Sequence, residues 1–267
     1  MLEAKNVVKT FDGFRALDSL NMTVPHGAVY GLVGPNGAGK STIIRHLAGI
    51  YRQDSGDVLV DGQPVYENTA VKSRMAVIGD DWYYFPQANI REMARFFAGL
   101  YPAFSWERYQ KLKEVFPLDE KLMLRRMSKG MQKQAAFWLA LCTMPDYLIL
   151  DEPIAGLDPL GREAFLQLIT ELNRGGMTIL MVSHNADCLG AYARRLLVLE
   201  DGQLVRDGTP EKIYADLDWM RAHRLGVPQS RTAAALLKQG GLDIPQDIAS
   251  YDALLAAVLR AKGGGRP

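Results

Sequence analysis

Gly34-Pro35-Asn36-Gly37-Ala38-Gly39-Lys40-Ser41-Thr42 is the stretch that decides how the rest of the chain is read. It fits the pattern G-x-x-x-x-G-K-S/T, with a short apolar run, AVYGLV from Ala28, before it and helical spacing after it. Glycines at Gly34, Gly37 and Gly39 let backbone N–H groups turn inward around phosphate oxygens, with Asn36 and Ala38 between them. A helix beginning at the loop's end adds a dipole that favours an anion. Lys40 would then reach the β and γ phosphates of a nucleotide, and the hydroxyl of Ser41, followed by Thr42, would hold Mg²⁺.

Two other runs share the character of AVYGLV: YLIL from Tyr147 and TILMV from Thr178. Each has strand length, is rich in β-formers and lacks polar alternation, which predicts central parallel strands buried on both faces. In an open α/β sheet ligands bind beyond the carboxyl ends of the strands. At those ends the two runs carry Asp151-Glu152-Pro153 and Ser183-His184-Asn185. Asp151 can take Mg²⁺ through its water shell. Glu152 is free to orient an attacking water, and the His184 imidazole can donate to a γ-phosphate oxygen. Together these groups specify nucleoside triphosphate hydrolysis, with Glu152, His184 and Lys40 as the catalytic candidates.

Outward from this centre, Asp12-Gly13, Asp61-Gly62 and Asp201-Gly202 announce antiparallel hairpins. Helical spacing in IREMARFFAGL from Ile90 and KQAAFWLALCTM from Lys133 predicts a helical insertion over about 89–144. After Tyr214 the chain changes to alanine- and leucine-rich stretches broken by LGVPQ at Leu225 and LDIPQ at Leu242. The expected division is an ATPase domain over 1–215 and a small helical extension over 216–267. With 31 basic and 30 acidic residues the net charge is +1, so nothing global favours nucleic acid as a partner. Cys142 and Cys188 lie far apart without metal or redox spacing and read as buried apolar residues in a reducing compartment. No secretory leader opens the sequence, and no segment reaches the ~20 apolar residues that span a bilayer. Work at a membrane would need another chain to do the spanning.

The ordered set GPNGAGKST, MSKGM from Met127, YLILDEP, AGLD ending at Asp158, and His184 resembles the nucleotide-binding subunit of an ABC transporter over roughly residues 1–214. The resemblance implies an α/β P-loop NTPase core of RecA type with an antiparallel β subdomain. It also implies ATP as substrate, Mg²⁺, an integral membrane permease as partner, and a place at the cytoplasmic face of the membrane. A second ATPase domain, in a homodimer or a heterodimer, is implied as well. Phe11 looks like the aromatic that stacks on adenine, with a place in a hairpin core as the other reading. Ser128 and Gly130 of the signature would donate to ATP held by the partner domain, although Lys129 and Met131 depart from the family's commonest LSGGQ. The resemblance makes AGLD the D-loop and counts Asp158, its last residue, among the ATP-binding residues. MSKGM and the upstream YPAFSWERY resemble efflux-type subunits, whereas the stretch from Ser183 through the LGVPQ and LDIPQ tail resembles energy-coupling-factor uptake ATPases. Direction of transport stays open between them. A soluble cassette acting on ribosomes or DNA is the alternative class, opposed by a single cassette, no heptad run and balanced charge.

MAVIGDDWYYFPQANIRE, from Met75 to Glu92, holds the loop in which the family carries a nucleotide-sensing glutamine. Asn89 and Glu92 form a capping-box pattern that starts a helix. Counting back from it, the family's position falls near Asp80, while Gln87 lies close to the helix; both remain candidates. Asp80 would either hold Mg²⁺ or impede hydrolysis until a partner reshapes the loop. The aromatics Trp82 to Phe85 read as a contact surface for the partner or as core.

Overall fold

The computed structural model describes residues 1–79, 83–245 and 247–263. The chain opens with β1 (Leu2–Phe11), β2 (Phe14–Val24), β3 (Val29–Val33), α1 (Lys40–Leu47), β4 (Ser55–Val60), β5 (Gln63–Pro64), α2 (Thr69–Lys72) and β6 (Met75–Ile78). A helical segment comes next: α3 (Ile90–Leu100), α4 (Trp106–Val115), a 3₁₀ turn at Leu124–Arg126, and α5 (Lys129–Cys142). Then come β7 (Tyr147–Asp151), α6 (Pro159–Arg174), β8 (Thr178–Val182), α7 (Ala186–Tyr192), β9 (Arg195–Glu200) and β10 (Gln203–Gly208). The chain closes with α8 (Pro210–Ala215), α9 (Leu217–Ala222), α10 (Gln229–Gln239) and α11 (Tyr251–Gly263).

All three Asp-Gly pairs make the hairpins expected of them. Both residues of each pair sit at positive φ, the mirror-image turn whose twist matches flanking strands. They join β1 to β2, β4 to β5, and β9 to β10. The four early strands form an antiparallel sheet in the order β2-β1-β4-β5, and the larger sheet runs β10-β9-β3-β8-β7-β6. Within the larger sheet β9, β3, β8, β7 and β6 are parallel, as the unbroken apolar runs of β3, β7 and β8 predict for those three.

Alternation along these strands feeds two cores. Tyr147 and Ile149 of β7, with Leu180 and Val182 of β8, pack beneath α1 and the antiparallel sheet. Leu148, Leu150, Ile179 and Met181 face the other way, into a core with Phe137, Trp138 and Phe165. Both faces are covered, so no polar residue interrupts the runs.

The segment α3–α5 is held at its start by a reciprocal cap: Asn89 accepts from the Glu92 amide at 2.9 Å, and Glu92 accepts from the Asn89 amide at 3.0 Å. Trp138, fully buried, stacks on Tyr109 and donates to its carbonyl at 2.9 Å. At the far end α8 and α9 pack on the main core through Ile213, Tyr214 and Met220. A separate small core of Ala234, Ile244, Ile248 and Ala257 holds α10 against α11. Ala249, between these two helices, belongs instead to the main core. Burial pushes the thiols of Cys142 and Cys188 up to about 12. Among the described residues no helix is long and apolar enough to cross a membrane.

Candidate functional site

The phosphate loop runs from the end of β3 to the first residue of α1. Gly39 caps that helix at φ 100, and a β-carbon there would also sit 2.6 Å from the Ala16 carbonyl oxygen. At the loop's other end a β-carbon on Gly34 would meet the Leu199 carbonyl oxygen at 2.2 Å. Glycine is required at both points by close backbone approach as well as by conformation. The Lys40 ammonium lies buried and donates to the carbonyls of Gly34 at 2.7 Å and Pro35 at 2.9 Å. Burial pulls its pKa down, against the opposing pull of Asp151 and Glu152.

The ends of β7 and β8 lie side by side, with Asp151 opposite Val182. Glu152 adopts φ 46, a left-handed conformation uncommon outside glycine. That turn breaks the strand's alternation and brings both carboxylates to one cleft. Glu152 is tied on three sides. Its Oε1 accepts from the His184 amide at 2.7 Å, Ser183 Oγ donates to Oε2 at 3.3 Å, and Lys133 of α5 donates to its backbone carbonyl. The His184 ring stands exposed, with Nε2 3.7 Å from Glu152 Oε1.

A cleft of about 550 Å³ collects Phe11, Asn36, Gly37, Ala38, Gly39, Lys40, Ser41, Thr42, Asp151, Glu152 and His184. Phe14, Ala16, Arg45 and Tyr51 also line it, and sequence reasoning missed them. Tyr51 meets Phe11 edge to face at 5.4 Å, and the Arg45 guanidinium lies 5.6 Å from the Tyr51 ring centre. The signal that could have found Tyr51 is an aromatic just beyond the loop helix; nothing in spacing links it to Phe11. Gly34 borders an adjoining cavity with Asn36 and His184.

Ser128, Gly130 and Asp158 do not line the cleft. Ser128 caps α5 by accepting from the Met131 amide at 3.2 Å, and Asp158 caps α6 by accepting from the Gly161 amide at 2.7 Å. A β-carbon on Gly130 would lie 2.4 Å from the Gly156 carbonyl, so the signature and the loop before α6 press together. Asp80 and Trp82 lie outside the described residues. Gln87 is exposed and apart from the cleft. Of the other aromatics there, Tyr83 and Phe85 are exposed, whereas the Tyr84 hydroxyl accepts from Gln132 Nε2 at 3.0 Å.

Ser41 and Asp151 offer a hydroxyl and a carboxylate oxygen to the same cleft, a hard donor pair suited to Mg²⁺ completed by water and phosphate oxygens. Among the described residues no group of three or more His, Cys, Asp or Glu could hold a metal unaided. The donor set thus fits a metal that arrives with a phosphate ligand.

A phosphate loop, an acidic pair and a histidine at the ends of three neighbouring parallel strands define a P-loop nucleoside triphosphatase. Residues 17–155 match the family model described as ABC transporter. The chain belongs to that family and is an ATP-binding, ATP-hydrolysing cassette. It is 33% identical to the energy-coupling factor transporter ATP-binding protein EcfA2 of Symbiobacterium thermophilum, over 95% of this chain and 93% of that protein. It is 32% identical to the corresponding EcfA of Methanocaldococcus jannaschii, over 82% of each. A solved ATP-binding subunit of an ABC transporter superposes with TM-score 0.76 at 26% identity, covering 82% of this chain and 93% of that one. CbiO1 of Clostridium perfringens, part of the CbiONQ complex, does so with TM-score 0.68 at 25% identity, covering 83% and 93%.

Proposed function

We propose that this chain is the ATPase of an energy-coupling-factor type uptake transporter, hydrolysing ATP to drive a separate membrane-spanning partner from its cytoplasmic face. What supports the catalytic half most is the meeting of Lys40, Glu152 and His184 in one cleft. Adenine stacks at Phe11 and Tyr51, and the N–H groups of the loop from Gly34 to Thr42 wrap the phosphates. Lys40 exchanges its two carbonyl partners for phosphate oxygens. Ser41 and Asp151 would hold Mg²⁺, which neutralises charge on the phosphates. Glu152 orients the attacking water and takes its proton, and His184 donates to the terminal phosphate. On register in the sequence alone, Asp80 would take the sensor position in place of an amide, with Gln87 the other candidate. Ser128 and Gly130 complete the nucleotide site of a second cassette, identical or not, with Asp158 at the shared interface.

Uptake is supported by likeness to energy-coupling factor ATPases that runs the length of the chain. Balanced charge argues against a ribosome- or DNA-bound cassette. The partner contact lies on Tyr83, Phe85, Phe96 and Leu100, an exposed apolar strip in which Phe85 meets Phe96 edge to face at 5.0 Å. Mild solubilisation should recover the chain with an integral membrane protein, and serine at Tyr83 and Phe85 should release it while ATPase activity persists. Recovery with ribosomes instead would overturn the transport reading.

A further inference from the structure

The LGVPQ segment has no part in the cleft, yet it runs against the loop that carries His184. A β-carbon on Gly226 would lie 3.3 Å from the His184 carbonyl. Just beyond it α10 begins with a deficiency: its N-cap residue, Pro228, has no side chain able to accept from the helix's free N–H groups. The missing acceptor comes from another helix. Asp187 lies in the first turn of α7, three residues after His184. Its Oδ2 accepts from the Gln229 amide at 2.9 Å, and its Oδ1 accepts from the Ser230 amide at 3.2 Å and from Ser230 Oγ at 2.9 Å. Ser230 is fully buried. Next to it the buried Arg231 donates from Nε to the Tyr214 carbonyl at 3.2 Å and from Nη2 to that of Ala215 at 3.3 Å, fastening α10 to the end of α8. The helix behind the loop that carries His184 is therefore tied to the C-terminal helix pair by this carboxylate, and also by the close approach of Gly190 to Ala249, where a β-carbon would lie 2.0 Å from the Ala249 carbonyl oxygen.

We propose that Asp187 is a positioning residue for His184, and that through it the α10–α11 pair sets where the histidine stands and follows its movement during turnover. This rests on the reading that His184 contacts the terminal phosphate. A misplaced group about 1 Å from its working position can cost up to roughly 10² in rate. Asp187→Ala should accordingly lower kcat by on the order of 10-fold, with KM for ATP held within about twofold. In a His184→Ala background the same change should alter kcat by less than about twofold, because both substitutions remove one function.

An Asp187→Ala protein with unchanged kcat overturns the proposal, as does an equal loss in both backgrounds. If His184→Ala alone leaves kcat unchanged, the phosphate-contact reading has failed and this inference falls with it. If only Asp187→Ala is silent, the inference fails alone. Should Asp187→Ala not fold, Asp187→Asn and Ser230→Ala remove fewer hydrogen bonds and should give smaller losses of the same kind. Amide exchange at residues 229–232 of the full chain adds a readout independent of rate. It should differ between ADP and a non-hydrolysable ATP analogue, and this difference should vanish in His184→Ala; exchange indifferent to nucleotide overturns the proposal.

Discussion

Glu152→Gln separates chemistry from scaffolding at one atom. The carboxylate currently accepts from the His184 amide at 2.7 Å and from Ser183 Oγ at 3.3 Å. Glutamine keeps an oxygen for the first bond. Its NH₂ can donate to Ser183 Oγ, which already accepts from the Asn185 amide at 3.1 Å and has a second lone pair free for the purpose. The exchange replaces charge-assisted bonds by neutral ones at a cost of about 1 kcal/mol, a fall in Tm of roughly 2–4 °C for a chain of this size. Loss of the proton acceptor is larger, about 10²- to 10⁴-fold, which is about 3–5 kcal/mol on the barrier. Phosphate release measured in parallel with calorimetric ATP binding distinguishes the two effects. Binding should stay within about threefold while turnover collapses. Turnover close to that of the unaltered chain would refute the assignment of Glu152 as general base, and loss of binding would show that its role is to hold the loop.

Lys40→Ala should weaken ATP binding by roughly 10- to 100-fold, the worth of a charge-assisted hydrogen bond, as read by titration calorimetry. Tyr51→Ala should raise the Kd for ATP and GTP by the same factor, about 5-fold or more for a lost stacking partner, in fluorescence titrations. His46, buried with Nδ1 donating to the Thr42 carbonyl at 2.8 Å and Nε2 making no hydrogen bond among the described residues, has its pKa lowered by burial. The unfolded chain protonates near 6.5 while the folded one resists, so stability is full above that pH and declines as pH falls below it. Denaturant titrations from pH 7 to pH 5 should show the decline, and His46→Gln should flatten it.

The parts of this molecule that were legible in its sequence are those decided by neighbours in the chain. Asp-Gly pairs dictate their own turns, apolar runs covered on both faces dictate parallel strands, and Asn89 and Glu92 dictate a helix start. The phosphate loop and the two strand ends carrying Asp151 and His184 could be placed on one edge because parallel strands share a direction. Contacts made across the chain were not legible. Tyr51 meets Phe11 only because α1 packs against β2 and β4 of the antiparallel sheet, and that adjacency leaves no mark on spacing. Asp187 reads as an ordinary first-turn acid until the helix it caps, more than forty residues on, is brought beside it. Ser128, Gly130 and Asp158 stand away from the cleft: Ser128 and Asp158 cap the helices they begin, and Gly130 presses on the loop before α6.

The order of the central sheet also governs when the protein comes into being during synthesis. β3 delivers the phosphate loop within the first forty residues, yet its two partners are β8 and β9, which begin at Thr178 and Arg195. Until those strands have left the ribosome, β3 has both edges unpaired, and closing so long a loop is slow. A nascent chain halted after α6 would expose the apolar flanks of β3 and β7 to chaperones or to other chains. The cassette is thus made loop first and sheet last, and its grip on nucleotide is acquired only when about three quarters of the chain has emerged.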